Sequence, residues 1–91
     1  MLILISYDIE DDGGRARVHR ILEGHGERVQ YSVFECWLEP VDLAKLKERL
    51  APHVKGEFDS VRFYKICGEC AKGAEVIGWG DPPREPEVWV V

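Results

Sequence analysis

The stretch that decides the fold is residues 1–24, MLILISYDIEDDGGRARVHRILEG, in which a strand pattern gives way to a helix pattern. Residues 2–5 form a continuous apolar run, which predicts a central strand that is buried on both faces and ends near Asp8. The next apolar residues recur at helical spacing, so we predict a helix over about residues 13–24, capped by one of the two aspartates before it.

Two further strand regions and a second helix follow this unit. Residues 28–38, RVQYSVFECWL, are rich in β-branched and aromatic side chains and are predicted to be extended, as one long strand or as two short ones. A second helix is predicted from Pro40, because leucines recur on one face behind it. Residues 58–66 return to a strand pattern.

The resulting order of elements is β-α-β(β)-α-β, which is typical of an α+β ferredoxin-like sandwich. We assign residues 1–80 to this domain and residues 81–91 to a Pro-rich arm that ends in a further strand. A free apolar edge strand promotes aggregation, so this last strand is predicted to pair with the sheet of a partner subunit. A chain of 91 residues also has a thin core, which again favours a homodimer.

The charge balance limits the possible functions. The chain has 17 acidic and 12 basic residues, and a net charge of −5 argues against a general nucleic-acid binder. All charged residues among the first 12 are acidic, whereas residues 13–37 include four arginines. This arrangement suits metal-assisted chemistry on phosphates. The three cysteines and the short first apolar run predict a cytoplasmic protein with no signal peptide and no membrane span.

Asp8 is the candidate for that chemistry, because it stands where the first strand gives way to a loop. By position alone it could also cap the loop or the helix. A single carboxylate does not make a magnesium site, since Mg²⁺ requires octahedral oxygen coordination. A two-fold axis would double the carboxylates, so catalysis by Asp8 predicts a homodimer.

Several blocks of sequence together carry a resemblance to a known family. They are YDI at residues 7–9, Arg15 and Arg17 on the first helix, GERVQYSVFE at residues 26–35, and DSVRFYKIC at residues 59–67. In this order they resemble the CRISPR-associated endoribonuclease family, the smaller of the two core CRISPR adaptation proteins.

The resemblance implies a ferredoxin-like homodimer that acts as a metal-dependent endonuclease, with Mg²⁺ or Mn²⁺, on single-stranded RNA or double-stranded DNA. It implies that Asp8 of each subunit binds the metal and that Arg15, Arg17, Arg28 and Phe34 contact the substrate. It also implies an alternative role as a non-catalytic DNA-binding scaffold that bridges dimers of the CRISPR integrase.

The acidic balance is compatible with nucleic-acid binding if the arginines of both subunits form one basic strip. We predict such a strip from Arg15, Arg17, Arg20 and Arg28. The three histidines have no metal-ligand spacing and are expected to be surface or cap residues.

The motif CGEC at residues 67–70 supports a third hypothesis, a metal or redox module. It lacks the second CxxC of a zinc ribbon. We predict a loop after the last core strand with thiols that are reduced or reversibly bridged, rather than an intersubunit zinc site.

Overall fold

The computed structural model describes residues 1–86. Its elements are β1 (Leu2–Asp8), α1 (Asp12–Glu23), β2 (Glu27–Gln30), β3 (Val33–Trp37), α2 (Pro40–Leu50), β4 (Ser60–Ile66) and α3 (Gly68–Lys72). No helix among these residues combines the length and hydropathy that crossing a bilayer requires. The strand predicted at residues 87–91, and with it the predicted pairing with a partner, lies outside the described residues.

The four strands form one sheet in the order β2-β3-β1-β4, and each neighbouring pair is antiparallel. On the central strand β1, Ile5 lies opposite Phe34 of β3 and opposite Phe63 of β4. With α1 and α2 packed on one face of this sheet, the predicted α+β ferredoxin-like sandwich is confirmed.

The core lies between the sheet and the two long helices. Val18 and Leu22 of α1 are fully buried, and three leucines of α2, which are Leu43, Leu46 and Leu50, are at most 5% exposed. Burying one such side chain contributes about 1.5–3 kcal/mol. The helices are therefore held by the apolar faces that their spacing predicted, and the opposite face of α1 is left available for polar residues.

The extended region over residues 28–38 forms two short strands, β2 and β3, rather than one long strand. Tyr31 and Ser32 form the turn between β2 and β3, and a bulge interrupts the pairing between Arg28 and Gln30. Gly26, just before β2, approaches β3 so closely that a Cβ atom there would lie 2.4 Å from the Cys36 Sγ atom. Only glycine fits that position.

The last strand begins at Ser60, two residues later than predicted, because Asp59 organises the turn before it. Its carboxylate accepts hydrogen bonds from the backbone N–H groups of Glu10 and Gly56, both at 2.9 Å. These two donors lower the pKa of Asp59. Asp59 thereby ties the loop after β1 to the loop before β4.

The prediction of a loop at residues 67–70 is wrong. Gly68–Lys72 form the short helix α3, and Cys67 immediately precedes it in an extended conformation. Ala71 is buried and anchors this helix to the domain. The CGEC motif therefore begins a helix that directly follows the last strand of the sheet.

Candidate functional site

The end of β1 presents two consecutive functional residues on opposite faces of the sheet. Tyr7 points toward the helices, where it is 5% exposed and hydrogen-bonded to α1. Because successive strand residues alternate in direction, Asp8 projects from the other face. Asp8 is exposed and lies opposite Ser60 of β4.

An open cleft of about 400 Å³ lies between α1 and β2 and is called here the arginine cleft. Its walls contain three arginines, two tyrosines, a histidine and two acids. The lining residues are Tyr7, Asp12, Arg15, Ala16, His19, Arg20, Glu23, Arg28 and Tyr31. Positive guanidinium groups beside an exposed aromatic ring form a surface that suits phosphate and base contacts.

The floor of the arginine cleft contains a hydrogen-bonded network of three side chains. The Tyr7 hydroxyl lies 3.0 Å from His19 Nδ1, and His19 Nε2 lies 3.4 Å from a carboxylate oxygen of Glu23. One tautomer satisfies both contacts: Tyr7 donates to Nδ1, while Nε2 carries the proton toward Glu23. Burial raises the pKa of Tyr7, so its hydroxyl remains protonated and able to donate.

Arg15 holds the loop that follows Asp8. Its Nη1 donates to the carbonyl oxygens of Ile9 at 3.0 Å and of Glu10 at 3.3 Å, and its Nη2 is paired with Asp12. These contacts fix the connection between β1 and α1. Its part in the site is therefore to position the loop beside Asp8, and a substrate would have to share a guanidinium that is already engaged.

Arg28 and Arg20 are the exposed guanidinium groups of the cleft. Arg28 lies opposite Phe34 in the sheet register, which directs it to the helix side, and its charge acts on the Tyr7 hydroxyl. Across residues 1–86, neither Arg20 nor Arg28 has a carboxylate within ion-pair distance. Both are therefore available to an anionic ligand.

Arg17 lies apart from the other three arginines. It lines a separate depression with Asp11, Lys55 and Asp59, beside the turn before β4. The predicted strip draws its arginines from both subunits and stays a prediction; within one protomer, Arg15, Arg20 and Arg28 line one cleft and Arg17 lies apart from them. The reason is geometric: residues two positions apart on a helix differ by about 200° in direction.

Phe34 does not lie on an exposed sheet face, so its predicted direct contact with substrate needs correction. It is 1% exposed and belongs to the core between β3 and the helices. Its ring centroid lies 5.3 Å from the ring of His19 in an edge-on arrangement and 6.4 Å from that of Tyr7. Phe34 therefore supports the network on the cleft floor from below.

The carboxylate of Asp8 is the donor type that Mg²⁺ prefers, but one protomer does not supply enough such donors. In the part of the chain from residue 1 to residue 86, no group of three or more His, Cys, Asp or Glu side chains is arranged to hold a metal ion. A magnesium site at Asp8 therefore requires ligands from outside the protomer.

His19 and Glu23 were not predicted as site residues, and a signal for them exists. Arg15, His19 and Glu23 follow one another at intervals of four, so they form one stripe along α1. That stripe, rather than any single residue, forms the helix wall of the cleft. Their partner Tyr7 comes from β1, and this pairing depends on how the helix crosses the sheet.

Comparison with known proteins gives a consistent family. Residues 1–73 match the family described as CRISPR associated protein Cas2. A CRISPR-associated endoribonuclease Cas2 from Synechocystis sp. is 44% identical over 82 residues, which are 90% of this chain and 87% of that protein.

Two solved structures agree with this match. The crystal structure of a hypothetical protein from Thermus thermophilus has a TM-score of 0.76 and 38% identity, covering 88% of this chain and 93% of that one. A chain in a partial Cas6-RT-Cas1-Cas2 complex has a TM-score of 0.74 and 32% identity, covering 84% of this chain and 89% of that one. The family match, the sequence identity and the shared fold agree over most of the chain, and this protein belongs to the CRISPR-associated protein Cas2 family.

Proposed function

We propose that this protein acts in CRISPR adaptation as a homodimeric endonuclease that hydrolyses phosphodiester bonds of single-stranded RNA or double-stranded DNA. The observation that carries the proposal is the exposed carboxylate of Asp8 at the end of the central strand, one residue from the arginine cleft. The Synechocystis relative is named an endoribonuclease, which supports the same activity. Such a role is carried out in the cytoplasm, where the nucleic acids are.

In the proposed site, Asp8 of each subunit contributes to one divalent metal, Mg²⁺ or Mn²⁺. The bound ion would supply Lewis-acid stabilisation of charge on the scissile phosphate and a water activated for attack. Two facing Asp8 carboxylates, one from each subunit, would supply more oxygen ligands than a single protomer offers.

The chain's own residues have separable parts in this proposal. Arg28 and Arg20 bind backbone phosphates through charge-assisted hydrogen bonds, and Arg15 keeps the loop beside Asp8 in place. Tyr31 is 76% exposed at the rim, where a base can stack on its ring. Tyr7 and Asp8 are consecutive but face opposite sides of the sheet, so a nucleic-acid strand that contacts both the cleft and the carboxylate has to pass around the end of β1.

A homodimer is supported by the exposed apolar side chains after α3. Ile77 and Trp79, two residues apart, are both essentially fully exposed. Neighbouring exposed apolar side chains of this size are typical of interaction surfaces, and a second copy would cover them.

A second candidate function is a scaffold that holds DNA between integrase dimers without cutting it. The observation that favours it is the similarity to a chain in a Cas1-Cas2 complex. In this role Asp8 is dispensable, whereas the arginine cleft is not.

The test compares wild type with Asp8→Asn on single-stranded RNA and on duplex DNA, each with Mg²⁺, with Mn²⁺ and with chelator. Asp42→Asn is the matched control, since it removes an exposed acid on α2 that does not line the arginine cleft. We expect cleavage to disappear only in Asp8→Asn and in chelator. Equal cleavage by Asp8→Asn and wild type would contradict the proposed metal site.

Asp8→Asn and Arg28→Ala, assayed with the integrase for insertion of a DNA duplex, separate the two functions. Integration that survives Asp8→Asn but not Arg28→Ala supports the scaffold. Loss of both activities in Asp8→Asn supports the nuclease as the form that works in adaptation.

A further inference from the structure

Two exposed cysteines, Cys67 and Cys70, stand where β4 gives way to α3. The proposed function uses neither of them. We propose that Cys67 and Cys70 form a dithiol site that low-molecular-weight disulfides, such as oxidised glutathione, oxidise reversibly to an intramolecular disulfide. The site goes beyond the proposed nuclease or scaffold and does not depend on it.

The spacing of the two residues brings their side chains to the same place. Cys67 precedes α3 in an extended conformation, and Cys70 lies in the first turn of that helix. The side chain of the residue that precedes a helix can reach the third residue of that helix, and Cys67 and Cys70 hold these two positions. A disulfide needs Cβ atoms about 3.5–4.5 Å apart, so this local pair is of the kind that side-chain rotations can close.

The two cysteines already interact as a pair. No side-chain capping hydrogen bond of regular geometry closes the start of α3. The backbone N–H and the thiol of Cys70 nevertheless lie close enough to the Cys67 sulfur to lower the pKa of Cys67. The pair of thiols, rather than the short helix, makes the site.

The two thiols differ in reactivity in the way that sequential exchange requires. Hydrogen bonding to Cys67 raises the pKa of Cys70, while the pKa of Cys67 is lowered. The thiolate is the attacking species in disulfide exchange, so Cys67 is the attacking residue and Cys70 the resolving one. The remaining cysteine, Cys36, is buried, and burial raises its pKa to about 11.

The reaction balances with the external disulfide as oxidant. The Cys67 thiolate attacks one sulfur of that disulfide, its S–S bond breaks, and one thiol leaves with a proton from water. Cys70 then loses its proton to water and attacks the Cys67 sulfur of the mixed disulfide, expelling the second thiol. Two protein thiols are oxidised, and one external disulfide is reduced to two thiols.

A metal site at the same residues is disfavoured by the number of ligands. A structural zinc ion requires four ligands, and the motif supplies two. Among residues 1–86 no third His, Cys, Asp or Glu completes a metal-binding group there. The side chains nearest in sequence, Glu69 and Lys72, pair with each other at 3.9 Å.

Oxidation at this position leaves the core undisturbed. Both thiols are exposed, and the only side chain that α3 buries is that of Ala71. The ring that forms joins Cys67 to Cys70 within a single turn, so no distant segments have to move. The disulfide is therefore expected to form and to be reduced in the folded protein.

The test uses the full-length protein in glutathione buffers poised between about −180 and −320 mV. Intact-mass measurement is expected to show the loss of two hydrogens as the buffer becomes more oxidising and their return on reduction. After denaturation, Cys36 remains the only thiol that can be alkylated in the oxidised protein. A protein that keeps all three thiols at every potential would overturn the proposal.

Two variants assign the roles of the thiols. Cys70→Ser is expected to accumulate a stable glutathione adduct on Cys67, because nothing resolves it. Cys67→Ser is expected to form its adduct on Cys70 more slowly near neutral pH, because Cys70 lacks the backbone N–H donors that lower the pKa of Cys67. Equal rates in the two variants, or one equivalent of zinc that copurifies with wild type and is lost in either variant, would contradict the dithiol site.

Discussion

The Tyr7 hydroxyl, on the central strand, lies 3.0 Å from Nδ1 of His19, on the first helix. This hydrogen bond joins the two layers of the sandwich at the floor of the arginine cleft. His19 is held from a second side by Glu23 and from below by the edge of Phe34. The imidazole therefore has a fixed orientation and couples the sheet to the helix wall of the cleft.

The first prediction is that Tyr7 and His19 are energetically coupled. Tyr7→Phe is expected to lower the free energy of unfolding by about 0.5–1.5 kcal/mol, because one partly buried hydrogen bond is lost. In a double-mutant cycle with His19→Ala, residues in direct contact are expected to show a coupling energy of about 0.5 kcal/mol or more. The measurement is urea denaturation at one fixed protein concentration, since association affects apparent stability.

The control for this cycle is Tyr64→Phe, which removes the hydroxyl of a half-exposed tyrosine on β4. It is expected to change the stability by less than about 0.5 kcal/mol. Strict additivity of Tyr7→Phe and His19→Ala would show that their contact contributes nothing.

The second prediction separates the arginines by position rather than by charge. Arg28→Ala is expected to weaken binding of single-stranded RNA about tenfold, which corresponds to one charge-assisted hydrogen bond of about 1.5 kcal/mol. It is also expected to reduce the slope of log affinity against log salt by about one. Fluorescence anisotropy at several salt concentrations measures both quantities.

Arg17→Ala is the matched control, since it removes the same charge from outside the arginine cleft. We expect its affinity and salt slope to stay close to those of wild type. An equal loss in Arg17→Ala and Arg28→Ala would mean that the cleft has no special role and that only overall charge matters.

The third prediction concerns Phe34 as a core residue. Phe34→Ala is expected to lower the free energy of unfolding by about 3–5 kcal/mol, because a fully buried ring leaves a cavity. Phe58→Ala removes a ring that is 82% exposed and is expected to cost less than about 0.5 kcal/mol. Any loss of nucleic-acid binding in Phe34→Ala should follow the fraction of unfolded protein. Full stability with lost binding would instead indicate direct contact with substrate.

Much of the fold follows from local patterns in the chain. The apolar run at residues 2–5 predicts a buried strand, and the leucine spacing of α2 predicts a helix with one buried face. Both elements form as predicted. The sequence does not locate the turn at Tyr31 and Ser32, because residues 28–38 contain no Gly, Pro, Asn or Asp to mark it. The break there arises from the bulge in β2 and the pairing with β3, which are tertiary features.

The candidate site was predictable only in part. Arg15 and Arg17 could have been separated from the sequence, because helix geometry alone directs them to opposite sides. Strand alternation places Phe34 and Cys36 on one face, but which face the helices cover is decided by packing. The contact between Tyr7 and His19 joins two elements and has no local signal.

The last prediction concerns a pair of like charges in the sheet. Glu27 of β2 lies directly opposite Glu35 of β3. Burial, and then the charge of Glu27, raise the pKa of Glu35 above its ordinary value of 4.5. A raised carboxyl pKa means that the folded state binds the proton more tightly than the unfolded state does. The protonated carboxyl is therefore compatible with the fold at low pH, and stability is lost as the pH rises from the unfolded pKa through the folded one.

Glu35→Gln removes this titration, so it is expected to stabilise the protein by about 0.2–1 kcal/mol near pH 7, the usual range for a cross-strand pair. The gain should vanish near pH 4, where the wild-type carboxyl is itself largely protonated. Denaturation curves at the two pH values give the difference, and Glu57→Gln, an exposed acid outside the sheet, is the control. Because Glu27→Gln relieves the repulsion but leaves Glu35 partly buried, it should recover only part of the gain. A stabilisation by Glu35→Gln that is the same at both pH values would show that shape, rather than charge, limits this position.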